Sequence, residues 1–145
     1  MITKEDQLAK ACADSMWAND DASKGLGMKI EDVRTGYARL SMPIRKEMTN
    51  GHDNVHGGFI FALADSTFAF ACNGRNQFAV AQHCSITYIA PGKLGDTLTA
   101  IATQTSHVGR SGIYDVKVTN QTGDVIAEFR GHSRTIKGQH IPDTE

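Results

Sequence analysis

Asp65 is the first residue whose setting implies chemistry. It is the only formal charge between Gly57 and Gly74, and Phe59, Ile60, Phe61, Leu63, Phe68 and Phe70 surround it in sequence. Removing water from a carboxylate is costly unless the group is hydrogen-bonded, paired or used. One reading makes Asp65 a structural carboxylate capping a neighbouring loop; the other makes it a general base or nucleophile. His52 and His56 stand four residues apart with Asp53 beside them, a spacing compatible with metal ligation. They precede the apolar run in a loop-like stretch and no third or fourth ligand is evident. No metal is therefore expected, and His56 is expected to fix the loop through hydrogen bonds. Cys12, Cys72 and Cys84 are odd in number and lack CxxC spacing. No histidine pairs with them in a familiar nucleophile motif: His83 adjoins Cys84, but neighbours on a strand point to opposite faces. Free thiols acting as small hydrophobes in a reducing compartment are expected.

The stretch that must position Asp65 is Asn50 to Asn73, NGHDNVHGGFIFALADSTFAFACN. A Gly/His/Asn/Asp loop opens it, followed by an uninterrupted apolar run with no Pro. Apolar residues fall on every face, so the run reads as a helix over about 57–73 that is buried all round. Upstream, Thr3-Lys4-Glu5-Asp6 reads as an N-cap with an acidic first turn, starting a helix over about 3–21. GMKIEDV and YARLSMPI, separated by Thr35-Gly36, read as a hairpin. Downstream, four β-rich stretches begin at Gln77, Thr97, Ile113 and Val125. Short turns at Pro91-Gly92, Gly109 to Gly112 and Gln121 to Asp124 join them. The tail over 138–145 is expected to fray. This order predicts a single α+β domain spanning 1–145, an antiparallel sheet wrapped on one central helix, the hotdog architecture.

Composition removes several function classes. The chain has 145 residues, 40% of them hydrophobic, with 15 basic and 16 acidic side chains. That balance gives no electrostatic case for nucleic acid or an anionic membrane. The central apolar run is too short and too polar to span a bilayer. The charged N-terminus lacks the apolar core of a signal peptide. A cytoplasmic protein is expected.

The sequence also resembles a particular family. Asn50-Gly51-His52, His56-Gly57-Gly58, Ile60-Phe61, Leu63-Ala64-Asp65, Phe68-Ala69 and Ala71-Cys72-Asn73 form its central block. Val80-Ala81, Pro91-Gly92, Gly95-Asp96 and Phe129-Arg130-Gly131 follow in order. Together they resemble the phenylacetate-degradation (PaaI-type) hotdog thioesterases from about Leu26 to Ile136. The resemblance implies hydrolysis of acyl-CoA thioesters, with no cofactor. Asp65 would be the catalytic carboxylate, Gly57 the backbone donor that polarises the thioester carbonyl, and Asn50 the group that positions the carboxylate or the attacking water. It suggests an aryl-acetyl or hydroxylated phenylacetyl acyl group, although members accept varied chains.

Physical reasoning supports the Gly57 assignment and adds a consequence. A helix start carries unpaired N–H groups that favour developing negative charge, and glycine has no Cβ to block approach. Gly57 and Asp65 are eight residues apart, about 12 Å along a helix. One helix therefore cannot bring both groups to a single carbonyl at the ~3 Å that chemistry needs. Two antiparallel copies about a two-fold axis could, which predicts a homodimer with shared sites. The family resemblance implies dimers or dimers of dimers, hence a homotetramer.

The phosphates of CoA call for cations at loop ends. Lys93 and Arg110 are the candidates, with Gly109 and Gly112 leaving room for the pantetheine arm and His56 and Gly58 at the helix start. Ordinary exposed turn residues are the competing description. Two rival functions are a hotdog acyl-thioester dehydratase or hydratase and a non-catalytic acyl-CoA-binding module. The first is expected to carry a histidine near the carboxylate, and the residue two after Asp65 is Thr67. The second is expected to accompany an effector, for which these residues offer no separate segment.

Overall fold

The computed structural model describes residues 2–143. Three α-helices, α1 (Lys4–Ala18), α2 (Asp21–Gly25) and α3 (Gly57–Cys72), and a short 3-10 turn at Lys46–Met48 accompany six strands among the described residues. The strands are β1 (Lys29–Arg34), β2 (Tyr37–Pro43), β3 (Ala79–Tyr88), β4 (Thr97–Val108), β5 (Ser111–Thr119) and β6 (Val125–Thr135). They form one sheet in the order β1-β2-β4-β5-β6-β3, every neighbouring pair antiparallel. The sheet curls around α3, so the expected hotdog fold is present. No described helix is long and apolar enough to cross a membrane.

Alternation along the strands decides which face meets α3. Leu98, Ala100 and Ala102 of β4, Tyr114, Val116 and Val118 of β5, and Ala127 and Phe129 of β6 are buried. Their opposite faces carry polar pairs such as Asp115 with Arg130 at 2.6 and 2.8 Å. Phe68 of α3 sits 5.7 Å from Tyr114 and 5.8 Å from Phe129, ring centre to ring centre. Gly131 admits that ring, since a Cβ there would lie 2.7–2.8 Å from Phe68. Gly131→Ala is therefore expected to cost about 1–3 kcal/mol through overpacking, read as a lower urea midpoint at unchanged slope. An unchanged midpoint would mean that the sheet relaxes freely there.

Three expectations need correction. The N-terminal helix does not run to residue 21. It stops at Ala18, and Asp20 caps α2, accepting from Ser23 N at 3.0 Å and Ser23 Oγ at 2.7 Å. The tail does not fray from Gly138. Asn76 Oδ1 accepts the backbone N–H groups of His140 and Ile141, both at 3.0 Å, and Ser15 Oγ donates to the His140 carbonyl at 2.9 Å. These hydrogen bonds tie the segment down to Ile141; residues 144–145 lie outside the described part. Finally, α3 is not buried all round. Ile60, Leu63, Ala64, Thr67, Phe68, Phe70, Ala71 and Cys72 are buried, whereas Phe61, Ala62, Asp65 and Ala69 are only half-buried. Their spacing puts them on one stripe of the helix, which the single chain leaves partly open.

Candidate active site

His56 starts α3. Its backbone is extended, and its Nδ1 accepts the Gly58 N–H at 3.0 Å while its carbonyl accepts the Phe59 N–H at 3.0 Å. Accepting at Nδ1 places the ring proton on Nε2. The Gly57 N–H has no protein acceptor among the described residues and is an unpaired donor of this helix start. Gly57 borders a cleft of about 430 Å³ lined also by Asn50, Val55, Ile60, Tyr88 and Pro91, among others.

The loop that closes the cleft is built from asparagines. Asn50 Oδ1 accepts the His52 N–H at 3.1 Å, and Asn50 N donates to the Asn54 carbonyl at 2.8 Å. Asp53 takes a left-handed φ of 57°, which Asp tolerates better than most residues. Lys93 Nζ donates to Asn54 Oδ1 at 2.5 Å, which puts the lysine at the rim of this loop.

Asp65 lies two turns further along α3. It is half-buried, and burial raises its carboxyl above the ordinary range with no opposing partner among the described residues. Cys72 and Cys84 lie close enough for its charge to act on them. Burial is the larger influence on both thiols and pushes Cys72 up to about 12. Neither thiol is therefore primed as a nucleophile at neutral pH.

The remaining sequence candidates separate from the cleft. Arg110 exchanges hydrogen bonds with Thr135, its Nε donating to the Thr135 carbonyl at 3.1 Å. Thr135 pairs with Ala79, at the start of β3, whereas the cleft adjoins Tyr88 at its end. Gly109, Arg110 and Gly112 thus lie about 30 Å along β3 from Gly57 within one chain. Gly112 is buried, and a Cβ there would lie 2.7 Å from Ser133 Oγ and 2.9 Å from the Tyr114 ring. Internal packing already requires a glycine at that position. Ser85 pairs with Arg130 and lines a separate hollow of about 530 Å³ with Asp115 and Arg130, on the sheet face away from α3. Tyr88, which sequence reasoning passes over, lies against Gly57: the three atoms nearest to a Cβ built there belong to its side chain, and its hydroxyl donates to the Gly57 carbonyl.

The sequence profile of the thioesterase superfamily matches residues 52–127, which include Gly57, Asp65 and Lys93. The chain belongs to the thioesterase superfamily. The acyl-coenzyme A thioesterase PaaI of Escherichia coli strain K12 is 44% identical over 127 residues, covering 87% of this chain and 90% of that protein. The structure of the E. coli PaaI protein superposes with a TM-score of 0.92 at 40% identity, covering 94% of this chain and 99% of that one. A Streptococcus mutans protein solved with acetyl CoA bound is 25% identical with a TM-score of 0.74, over 77% of this chain and 90% of its own. The fold and the relatives agree: this is a hotdog thioesterase, a hydrolase of thioesters.

Proposed function

We propose that this thioesterase hydrolyses acyl-CoA, with Asp65 as the catalytic carboxylate, the Gly57 N–H as the oxyanion donor and Asn50 as the positioning group. The observation that carries this reading is Asp65 itself, a half-buried carboxylate held on an apolar helix without a partner among the described residues. A charge kept at that cost is expected to be used. The relative named acyl-coenzyme A thioesterase supports CoA as the leaving group.

Gly57 and Asp65 lie on one straight helix about 12 Å apart and cannot share a carbonyl within one chain. The site is therefore completed by a second copy, giving a homodimer; a dimer of such dimers is what the resemblance to the PaaI-type thioesterases implies. Two features support the pairing: the half-open stripe of α3 that carries Asp65, and β3, which among the described residues pairs only with β6 and leaves its other edge unpaired. Val80 and Tyr88 are 45% and 50% exposed on that strand, an edge that natural proteins generally cover. An antiparallel copy would also carry Gly109 and Arg110 of one protomer towards the Lys93 end of its partner, where a CoA phosphate could meet both cations.

In the reaction, the thioester oxygen accepts from the Gly57 N–H. Asp65 takes a proton from water as the water attacks the carbonyl carbon, the tetrahedral intermediate collapses, and CoA thiolate leaves. A panel of acyl-CoAs with a thiol reagent tests this. Free CoA is expected, whereas a dehydratase or a binding module releases none. Thr67, where a hydratase would place its histidine, spends its hydroxyl on the Leu63 carbonyl at 2.7 Å.

Asn50 gives a separate expectation. Its Oδ1 holds the loop, while its Nδ2 has no protein acceptor among the described residues. Asn50→Ala is expected to lower kcat about tenfold through lost orientation, with the oligomer intact by sedimentation. An unfolded variant would assign Asn50 to the loop alone.

A further inference from the structure

The cleft beside Gly57 contains a phenol that none of these roles uses. Tyr88 ends β3 on the inner face of the sheet, and its hydroxyl donates to the Gly57 carbonyl oxygen at 3.0 Å. Its ring covers the Cα of Gly57. A Cβ on residue 57 would lie 3.0 Å from Tyr88 Cζ, 3.1 Å from its hydroxyl oxygen and 3.2 Å from Cε1. A methyl at 57 would press on the tyrosine, whose ring would have to give by a few tenths of an ångström.

This contact falls where the backbone is most pliant. Two successive glycines, Gly57 and Gly58, begin α3, and glycine has the widest backbone freedom of any residue. Two side chains restrain the pair. His56 Nδ1 takes the Gly58 N–H, and Tyr88 holds the Gly57 carbonyl. Between these restraints, the Gly57 N–H is left without a protein acceptor among the described residues. An oxyanion donor is effective in proportion to how firmly it is fixed before the charge develops.

We propose that Tyr88 is a positioning residue for thioester hydrolysis: it clamps Gly57 so that the Gly57 N–H stays aimed at the site of the developing oxyanion. The inference rests on the acyl-CoA reading above. Negative charge on the thioester oxygen is largest in the transition state, so a loosened donor lowers kcat and leaves substrate binding nearly unchanged.

Tyr88→Phe keeps the ring and removes only the donor. In the assembled protein, with the best acyl-CoA of the panel, its kcat is expected to fall about five- to tenfold, the scale of one well-placed hydrogen bond. KM should stay within about twofold, with the melting temperature unchanged. A wild-type kcat overturns the proposal, as does a rise in KM alone, which would make Tyr88 a wall for substrate. A loss that tracks a fall in melting temperature also overturns it and assigns Tyr88 to the fold. A second arm uses the steric contact. In Gly57→Ala the new methyl meets the Tyr88 ring, so the double variant Gly57→Ala/Tyr88→Ala is expected to lose less than the product of the two single losses. Strict additivity overturns the clamp. Asp65→Asn, assayed alongside, separates the two ideas. If it is active, the acyl-CoA site reading fails; if it is inactive while Tyr88→Phe is normal, only the clamp fails.

Discussion

Asp65→Asn is expected to abolish turnover and to make the folded protein more stable. The amide keeps the shape of the carboxylate but cannot take a proton from water. A general base contributes about 10²–10⁴-fold, so a loss of that order is expected with substrate still bound. The stability effect follows from linkage. Burial raises the Asp65 pKa above its ordinary value, so the folded state holds the proton more tightly than the unfolded chain does. The stabilisation from this group is complete below the unfolded pKa and is lost as pH rises through the folded one. At neutral pH the ionised side chain therefore burdens the fold. In the proposed dimer, the partner's α3 N-terminus would oppose this by about 0.3–1 kcal/mol. The same partner also removes more water from the carboxylate, so burial is expected to prevail.

Two measurements follow. Melting of Asp65→Asn is expected above wild type near pH 7, with the gap closing as the pH approaches 4. The acid limb of kcat/KM for the wild type is expected to reflect a carboxyl titrating above the ordinary Asp range. Near-normal hydrolysis by the variant would refute the assignment, and a lower melting point would reveal a structural partner for the carboxylate. A single turnover with excess enzyme in ¹⁸O-water then separates the two chemical roles. Label in the acyl product alone means that water attacked the thioester. Label on Asp65 means that the side chain attacked first and a mixed anhydride was hydrolysed. Water attack is the expected result.

The long elements are legible in the sequence because their periods differ. The apolar run fixes α3 to within a residue of Gly57–Cys72, and alternation locates four strands after it. What periodicity cannot show is a side chain satisfying distant backbone. Asn76 anchors the C-terminal segment across 65 positions, and a polar tail without a pattern reads as frayed. Asp20 ends one helix and begins another within a stretch whose composition suits either. The same limit applies to the site. Gly57 and Asp65 stand out by type and setting, whereas Tyr88 looks like an ordinary strand aromatic. Its contact with Gly57 spans 31 positions and exists only once the sheet has closed on the helix.

Mixing two inactive variants is expected to restore activity. Gly57→Ala places a methyl against the Tyr88 ring and displaces the donor, for an expected loss of about 10²-fold. Asp65→Asn lacks the carboxylate. If each site takes Gly57 from one protomer and Asp65 from its partner, a mixed dimer has one site with both groups intact and one with both altered. Random reassortment makes about half of the dimers mixed, and one of their two sites works, so recovery of about a quarter of wild-type activity is expected. Each variant alone should remain near its own residual level at any concentration. The variants would be separately purified, dissociated, combined and reassembled, with an identically treated wild-type sample as the standard. If both groups acted within one chain, every protomer would carry a defect and mixing would restore nothing. Sedimentation gives the independent check. The 12 Å separation along α3 leaves no productive monomer, so dilution below the dimer dissociation constant is expected to extinguish the wild-type reaction in step with the loss of dimer. A monomer that hydrolyses acyl-CoA at full rate would defeat the shared site, because one straight helix cannot bring Gly57 and Asp65 to the same carbonyl.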